Sequence, residues 1–207
     1  MELDLTLGFR FVWATYDDKL HHKAMLLKEV IDREKKGFVP VGNEIVRKKP
    51  IVSKWYELIA AANGLDPFDP LVAEAYWIGN ELLEREFDFS GIHNYIMETF
   101  NGAERGYKMP PQGSFPHHNL HVTNYRLVSK PEASLDEIDA CMVTPAIMES
   151  NGIEATHVLT GDRITGFKNP FEFDISVRMH VALHRNIVCA TLDECRQERL
   201  LKYGYNR

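Results

Sequence analysis

Phe115-Pro116-His117-His118-Asn119-Leu120-His121-Val122 is the stretch on which the reading of this chain turns. It closes a segment, residues 102–119, in which Gly102, Gly106, Pro110, Pro111, Gly113 and Pro116 prevent regular structure. Upstream the apolar residues recur at helical spacing; downstream they alternate. From Leu120 to Val128 the alternation places Leu120 and Val122 on one face and His121, Thr123, Tyr125 and Leu127 on the other, which predicts a strand. The chain therefore divides into a helical part (1–102), a Pro/Gly-rich loop (103–119) and a β-rich module with a terminal helix (120–207).

In the first part, Asp18 to Lys36 carries Leu20, Ala24, Leu27 and Ile31 at helical spacing and stops at Gly37. After a linker with Pro40, Gly42 and Pro50, a second helix opens at Ser53. Its Trp55, Leu58, Ile59 and Ala62 share a face, and Asn63-Gly64 ends it. Asp69-Pro70 reads as an N-cap followed by proline at the first helical position, with Leu71, Val72, Ala75, Leu82 and Leu83 forming the stripe behind it. A fourth helix follows Asp88–Ser90 and ends at Asn101-Gly102.

In the last part, Ser134-Leu135-Asp136-Glu137 is a capping box for a short helix. Strands are predicted at 141–148, 153–160 and 163–167, with turns at Asn151-Gly152 and Gly161-Asp162. The longest strand is expected from Phe173 to Leu183, and a second capping box at Thr191-Leu192-Asp193-Glu194 starts the terminal helix. The expected fold class is α+β: helices first, then a small β-barrel or curled antiparallel sheet.

Composition narrows the function. The net charge is −6 and the pI about 5.8. The best basic run, Arg47-Lys48-Lys49, has no aromatic interleaving, so nucleic acid is not an expected partner. No apolar run reaches the roughly 18 residues that span a bilayer, and Met1-Glu2-Leu3-Asp4 lacks a basic leader region. Cys141, Cys189 and Cys195 make an odd count without CxxC spacing, which points to reduced thiols and a cytoplasmic protein.

Three of the nine histidines, His117, His118 and His121, fall within five residues. Imidazole is the commonest protein metal ligand, so a metal or proton-transfer site is one reading; capping and hydrogen-bonding histidines are the other. On a strand the neighbours His117 and His118 would diverge, so a complete site needs a distant ligand such as Cys141, His184, His93 or a carboxylate. His180 and His184 share a strand face, as ligands or as the wet side of a half-exposed sheet. Cys141 is a reactive thiol or a small buried hydrophobe. Trp77 and Asn80 read as tight packing or as the wall of a pocket. Tyr107 and Met109 are loop groups that a partner could cover, or that fold back onto the core. No hydrolase triad or phosphate-binding loop is present.

Glu74-Ala75-Tyr76-Trp77-Ile78-Gly79-Asn80, residues 116–122 and Val181-Ala182-Leu183-His184-Arg185-Asn186-Ile187-Val188-Cys189 together resemble an uncharacterised prokaryotic family of unknown function associated with nickel-iron hydrogenase gene clusters. The resemblance covers residues 51–205. More distantly, the β module is similar to the small barrel chaperones of hydrogenase maturation. Cys141 with its apolar strand, Gly161-Asp162, and His184 before Leu192-Asp193-Glu194 follow in that family's order. In those chaperones the cysteine is N-terminal; Cys141 is internal.

These resemblances imply an accessory or binding protein of hydrogenase or metal-cofactor assembly. Zn, Fe or Ni would be held by His117, His118, His121 or His184, and a hydrogenase subunit or maturation protein would be the partner. The alternative is a metal-dependent enzyme using His117, His118 and His121 in a cleft between the two halves.

Overall fold

The computed structural model describes residues 6–15, 45–126, 128, 130, 132–150 and 154–205. The helix expected over 18–36, the first half of the linker after it and the Asn151-Gly152 turn lie outside these residues. Helix α1, Leu7–Ala14, is buried on every side. Helix α2 (Pro50–Asn63) begins with proline and ends at Gly64, whose φ of 67° is the left-handed value that glycine accepts freely. Asp69 caps α3 (Pro70–Trp77), accepting from the Leu71 amide at 2.8 Å. A 3-10 turn at Glu81–Glu84 and α4 (Ser90–Thr99) complete the first half.

Residues 118–125 contradict the expected strand. They form helix α5, His118–Tyr125. His117 is its N-cap, with Nδ1 accepting from the Asn119 amide at 3.1 Å. Asn119 then pairs with both backbone groups of Val143: its Oδ1 accepts at 2.8 Å and its Nδ2 donates at 3.1 Å. These fixed bonds outweigh the modest strand preference of Leu120, Val122 and Thr123. The helical period turns His118, His121, Val122 and Tyr125 inward together.

Helix α6 (Leu135–Cys141) opens on the expected Ser134–Glu137 capping box and ends in Cys141. Five strands follow: β1 (Thr144–Ser150), β2 (Glu154–His157), β3 (Arg163–Thr165), β4 (His180–His184) and β5 (Ile187–Leu192). They pair antiparallel in the order β3-β2-β1-β4-β5. The sheet is bent by irregularities at Met148/Ser150 and Ala182/Leu183, and its edges β3 and β5 do not meet. It is a curled open sheet and not a barrel.

The strand expected over 173–183 is present only in its last residues. Phe173, Ile175 and Met179 instead fold across one face of the sheet, over Met148, Val181, Leu183 and Val188. Val177 is exposed and Arg178 has a φ of 65°, which a strand does not tolerate. On the other face Ala182, Ile187, Cys189 and Leu192 join the core of the helices. That core runs from α1 across to β5, and α7 (Glu194–Tyr205) packs along α5, β1 and β5.

Candidate metal centre

Three elements meet under α1. The N-terminal turn of α5 brings His118, the last residue of α6 brings Cys141, and the last residue of β4 brings His184. Their donor atoms all lie within 4.8 Å of one another. Cys141 Sγ is 3.6 Å from His184 Nε2. All three residues are buried, His184 completely. Trp77 walls the site, its ring 4.3 Å from that of His118 and 5.5 Å from that of His184, and Phe11 stacks on Trp77 at 4.8 Å and lies 5.9 Å from the His184 ring.

The hydrogen bonds set the tautomers. His184 Nδ1 lies 3.0 Å from the Phe11 carbonyl, which only accepts, so Nδ1 carries the proton and Nε2 turns its lone pair toward the thiol. His118 Nε2 donates to the Cys141 carbonyl at 3.0 Å. His118 Nδ1 is 3.1 Å from Tyr76 Oη, which is also 2.7 Å from His121 Nδ1. Trp55 stacks on His121 at 5.5 Å.

Burial removes charge from this group. It pushes the His184 imidazole down to about 3 and holds His118 well below the usual range, helped by the neighbouring His184 and His121. Burial raises the Cys141 thiol, against the pull of the Arg185 guanidinium. A neutral thiol beside a neutral imidazole is a poor nucleophile. It is a good latent ligand pair, because metal coordination needs unprotonated imidazole and displaces only the thiol proton. Two imidazoles and a thiolate suit borderline and soft transition metals, and three protein donors leave one position of a tetrahedron.

The remaining expected site residues are placed elsewhere. His117 is buried and used as a helix cap, and His121 stays outside the donor set, its ring edge-on to that of His118 at 5.7 Å and its Nδ1 on Tyr76. The three clustered histidines therefore do not surround one point; α5 sends only His118 into the group. His93 lies 3.3 Å from Tyr125 Oη, away from the site. His180 is half-buried, and its β4 neighbour Ala182 is buried, so this face of the strand is covered rather than wet.

Asn80 does not face a pocket. It is 1% exposed, caps the 3-10 turn through the Leu82 amide and donates to the Leu71 carbonyl. Tyr107 is buried against Tyr125, whereas Met109 is 49% exposed. Tyr76 and the Phe11 carbonyl carry no signal in the sequence. A tyrosine in an apolar helix and a backbone oxygen become polar partners only once the chain is folded.

Surface grooves lie elsewhere among the described residues. One is lined by Glu81, Glu84, Cys195, Glu198, Arg199 and Lys202, and another by Lys54, Glu57, Leu58, Asp88, Tyr95 and Glu98. Neither includes a residue of the His118/Cys141/His184 group, whose three members are buried. No helix among the described residues is long and apolar enough to cross a membrane.

No curated protein and no solved structure matches the chain. A family model does match, over residues 52–164, from α2 into β3. That span holds Tyr76, His118, His121 and Cys141 but not His184. It covers more than half of the sequence, so this chain belongs to a family of unknown function (DUF6390).

Proposed function

We propose that this protein binds one transition-metal ion through His118, Cys141 and His184 and serves as a cytoplasmic accessory protein of metal-cofactor assembly. The observation that carries the metal reading is the convergence of the three donors within 4.8 Å, with the His184 ring already oriented by the Phe11 carbonyl. The ion is Zn(II), Ni(II) or Fe(II), borderline metals that accept imidazole and thiolate donors. The assignment to hydrogenase assembly draws on the resemblance of residues 74–80, 116–122 and 181–189.

Cobalt substitution tests the metal reading. The full chain titrated with Co(II) is expected to bind one equivalent and to show a thiolate-to-cobalt charge-transfer band. Cys141→Ser removes that band, His184→Ala and His118→Ala remove tight binding, and the exposed-site control Cys195→Ser changes nothing. Substoichiometric uptake, or a spectrum unchanged by Cys141→Ser, overturns the assignment.

The count of three protein donors favours a second reading, a metal-dependent enzyme with its open position for substrate. Azide that shifts the cobalt spectrum, together with turnover of a small molecule lost in Cys141→Ser, would select the enzyme. A metal-loaded chain that passes its ion to a partner apoprotein without turnover selects the accessory role.

A further inference from the structure

We infer that Tyr76 and His121 form a tautomer relay that answers metal binding: an ion on His118 Nε2 moves the ring proton of His121, which is not a ligand, from Nδ1 to Nε2. This rests on the metal reading of His118.

The argument follows the protons. The Cys141 carbonyl accepts from His118 Nε2 at 3.0 Å, so the neutral His118 ring has its lone pair on Nδ1. That nitrogen lies 3.1 Å from Tyr76 Oη. Tyr76 is fully buried and burial keeps its hydroxyl protonated, so it has one proton to give and gives it to His118. The same oxygen lies 2.7 Å from His121 Nδ1 and must accept there, which places the His121 proton on Nδ1.

Nδ1 of His118 is taken by Tyr76 and its Nε2 by the Cys141 backbone carbonyl, so the ion is assigned to Nε2, where it replaces that carbonyl as partner. A metal bound there takes the Nε2 lone pair and displaces its proton, so the ring must carry its proton on Nδ1. Nδ1–H then points at Tyr76 Oη, which becomes the acceptor. Tyr76 turns its own proton to His121 Nδ1, and His121 stays neutral only by carrying its proton on Nε2. One proton leaves at His118 Nε2 and one is taken up at His121 Nε2, so the relay changes no net charge. The Cys141 thiol proton leaves separately. His184 keeps its proton on Nδ1 in both states, because the Phe11 carbonyl can only accept.

Tyr76 is thus a positioning residue: it serves the metal-free ring as donor and the loaded ring as acceptor. His121, 8% exposed and stacked on Trp55, carries the occupancy of the closed site to its edge.

Histidine side-chain 15N NMR of the full chain, with and without one equivalent of Zn(II), tests this. Without zinc, His118 is expected as the Nε2–H form and His121 and His184 as Nδ1–H. With zinc, His118 becomes Nδ1–H, His121 becomes Nε2–H, and His184 is unchanged. In Tyr76→Phe, which keeps the ring, zinc should still flip His118 but leave His121 alone, and the dissociation constant should rise 10–100-fold.

Zinc that binds His118 while wild-type His121 keeps its Nδ1 proton overturns the relay and leaves the metal site standing. Zinc that does not bind overturns both. The wild-type comparison needs no variant, so a misfolded Tyr76→Phe does not shelter the inference.

Discussion

Gly79 occupies a backbone position with φ of 101°, and a Cβ built there would meet Tyr203 Cδ2 at 2.5 Å and the Arg199 carbonyl at 3.1 Å. Left-handed strain and overpacking both penalise a side chain, so Gly79→Ala is expected to cost on the order of 3 kcal/mol in urea unfolding. A second residue-scale test lies in the loop. Tyr107 packs edge-on against Tyr125 but its hydroxyl has no hydrogen-bond partner. Tyr107→Ala should therefore lose about 3 kcal/mol, while Tyr107→Phe is neutral or slightly stabilising. Met109→Ala, on the surface, should stay within about 0.5 kcal/mol. If Tyr107→Ala proves neutral too, the ring is not the core residue that its burial indicates.

At the scale of elements, the start of α7 shows how a correct signal can be read in the wrong register. Thr191 and Glu194 have capping-box spacing, yet Thr191 pairs with Val181 within β5, and Asp193 makes the cap, accepting from the Arg196 amide at 2.8 Å. Asp193→Ala should cost about 1 kcal/mol by denaturant titration. An equal loss of α7 helicity in Thr191→Ala would return the cap to Thr191. Helix α1 escaped the sequence reading for a different reason. Leu7–Ala14 is covered on all sides, so it has no polar stripe, and periodicity cannot announce a helix without one. Its buried Arg10 is satisfied by donating to the Cys189 carbonyl at 2.6 Å, a partner 179 residues away.

For the whole molecule, burial of histidine sets the response to acid. His117, His121 and His184 are depressed to about 3 from the ordinary 6.5, and His118 lies well below the usual range. Above pH 6.5 both folded and unfolded chains hold these rings neutral, and the stability they allow is fully present. Below it the unfolded chain binds protons that the folded one refuses, so stability is lost toward pH 3. The slope is up to about 1.4 kcal/mol per pH unit for each histidine. The lowered carboxylates Glu84, Asp88 and Glu137 act in the same direction, but their unfolded values near 4 confine them to lower pH. Metal-free protein unfolded by urea between pH 7 and pH 5 isolates the histidines. A flat profile there would show that these rings are protonated in the fold.

Local chemistry made several features legible from the residues alone. The proline and Asp69 start of α3, the glycine stop of α2, the Ser134–Glu137 box and the β1–β3 meander each depend on neighbours within a few positions. The α+β class followed from them, as did the inclusion of His118, Cys141 and His184 among the candidates. Tertiary structure alone decided that 118–125 is a helix, that 173–179 covers the sheet, that the sheet stays open, and which histidine meets Cys141. Those outcomes rest on long-range bonds, Asn119 to Val143, His118 to Cys141 and His184 to Phe11, across 24, 23 and 173 positions. Periodicity records only which side of an element is apolar. The partner that each polar group finds is set when distant elements close on one another and exclude water.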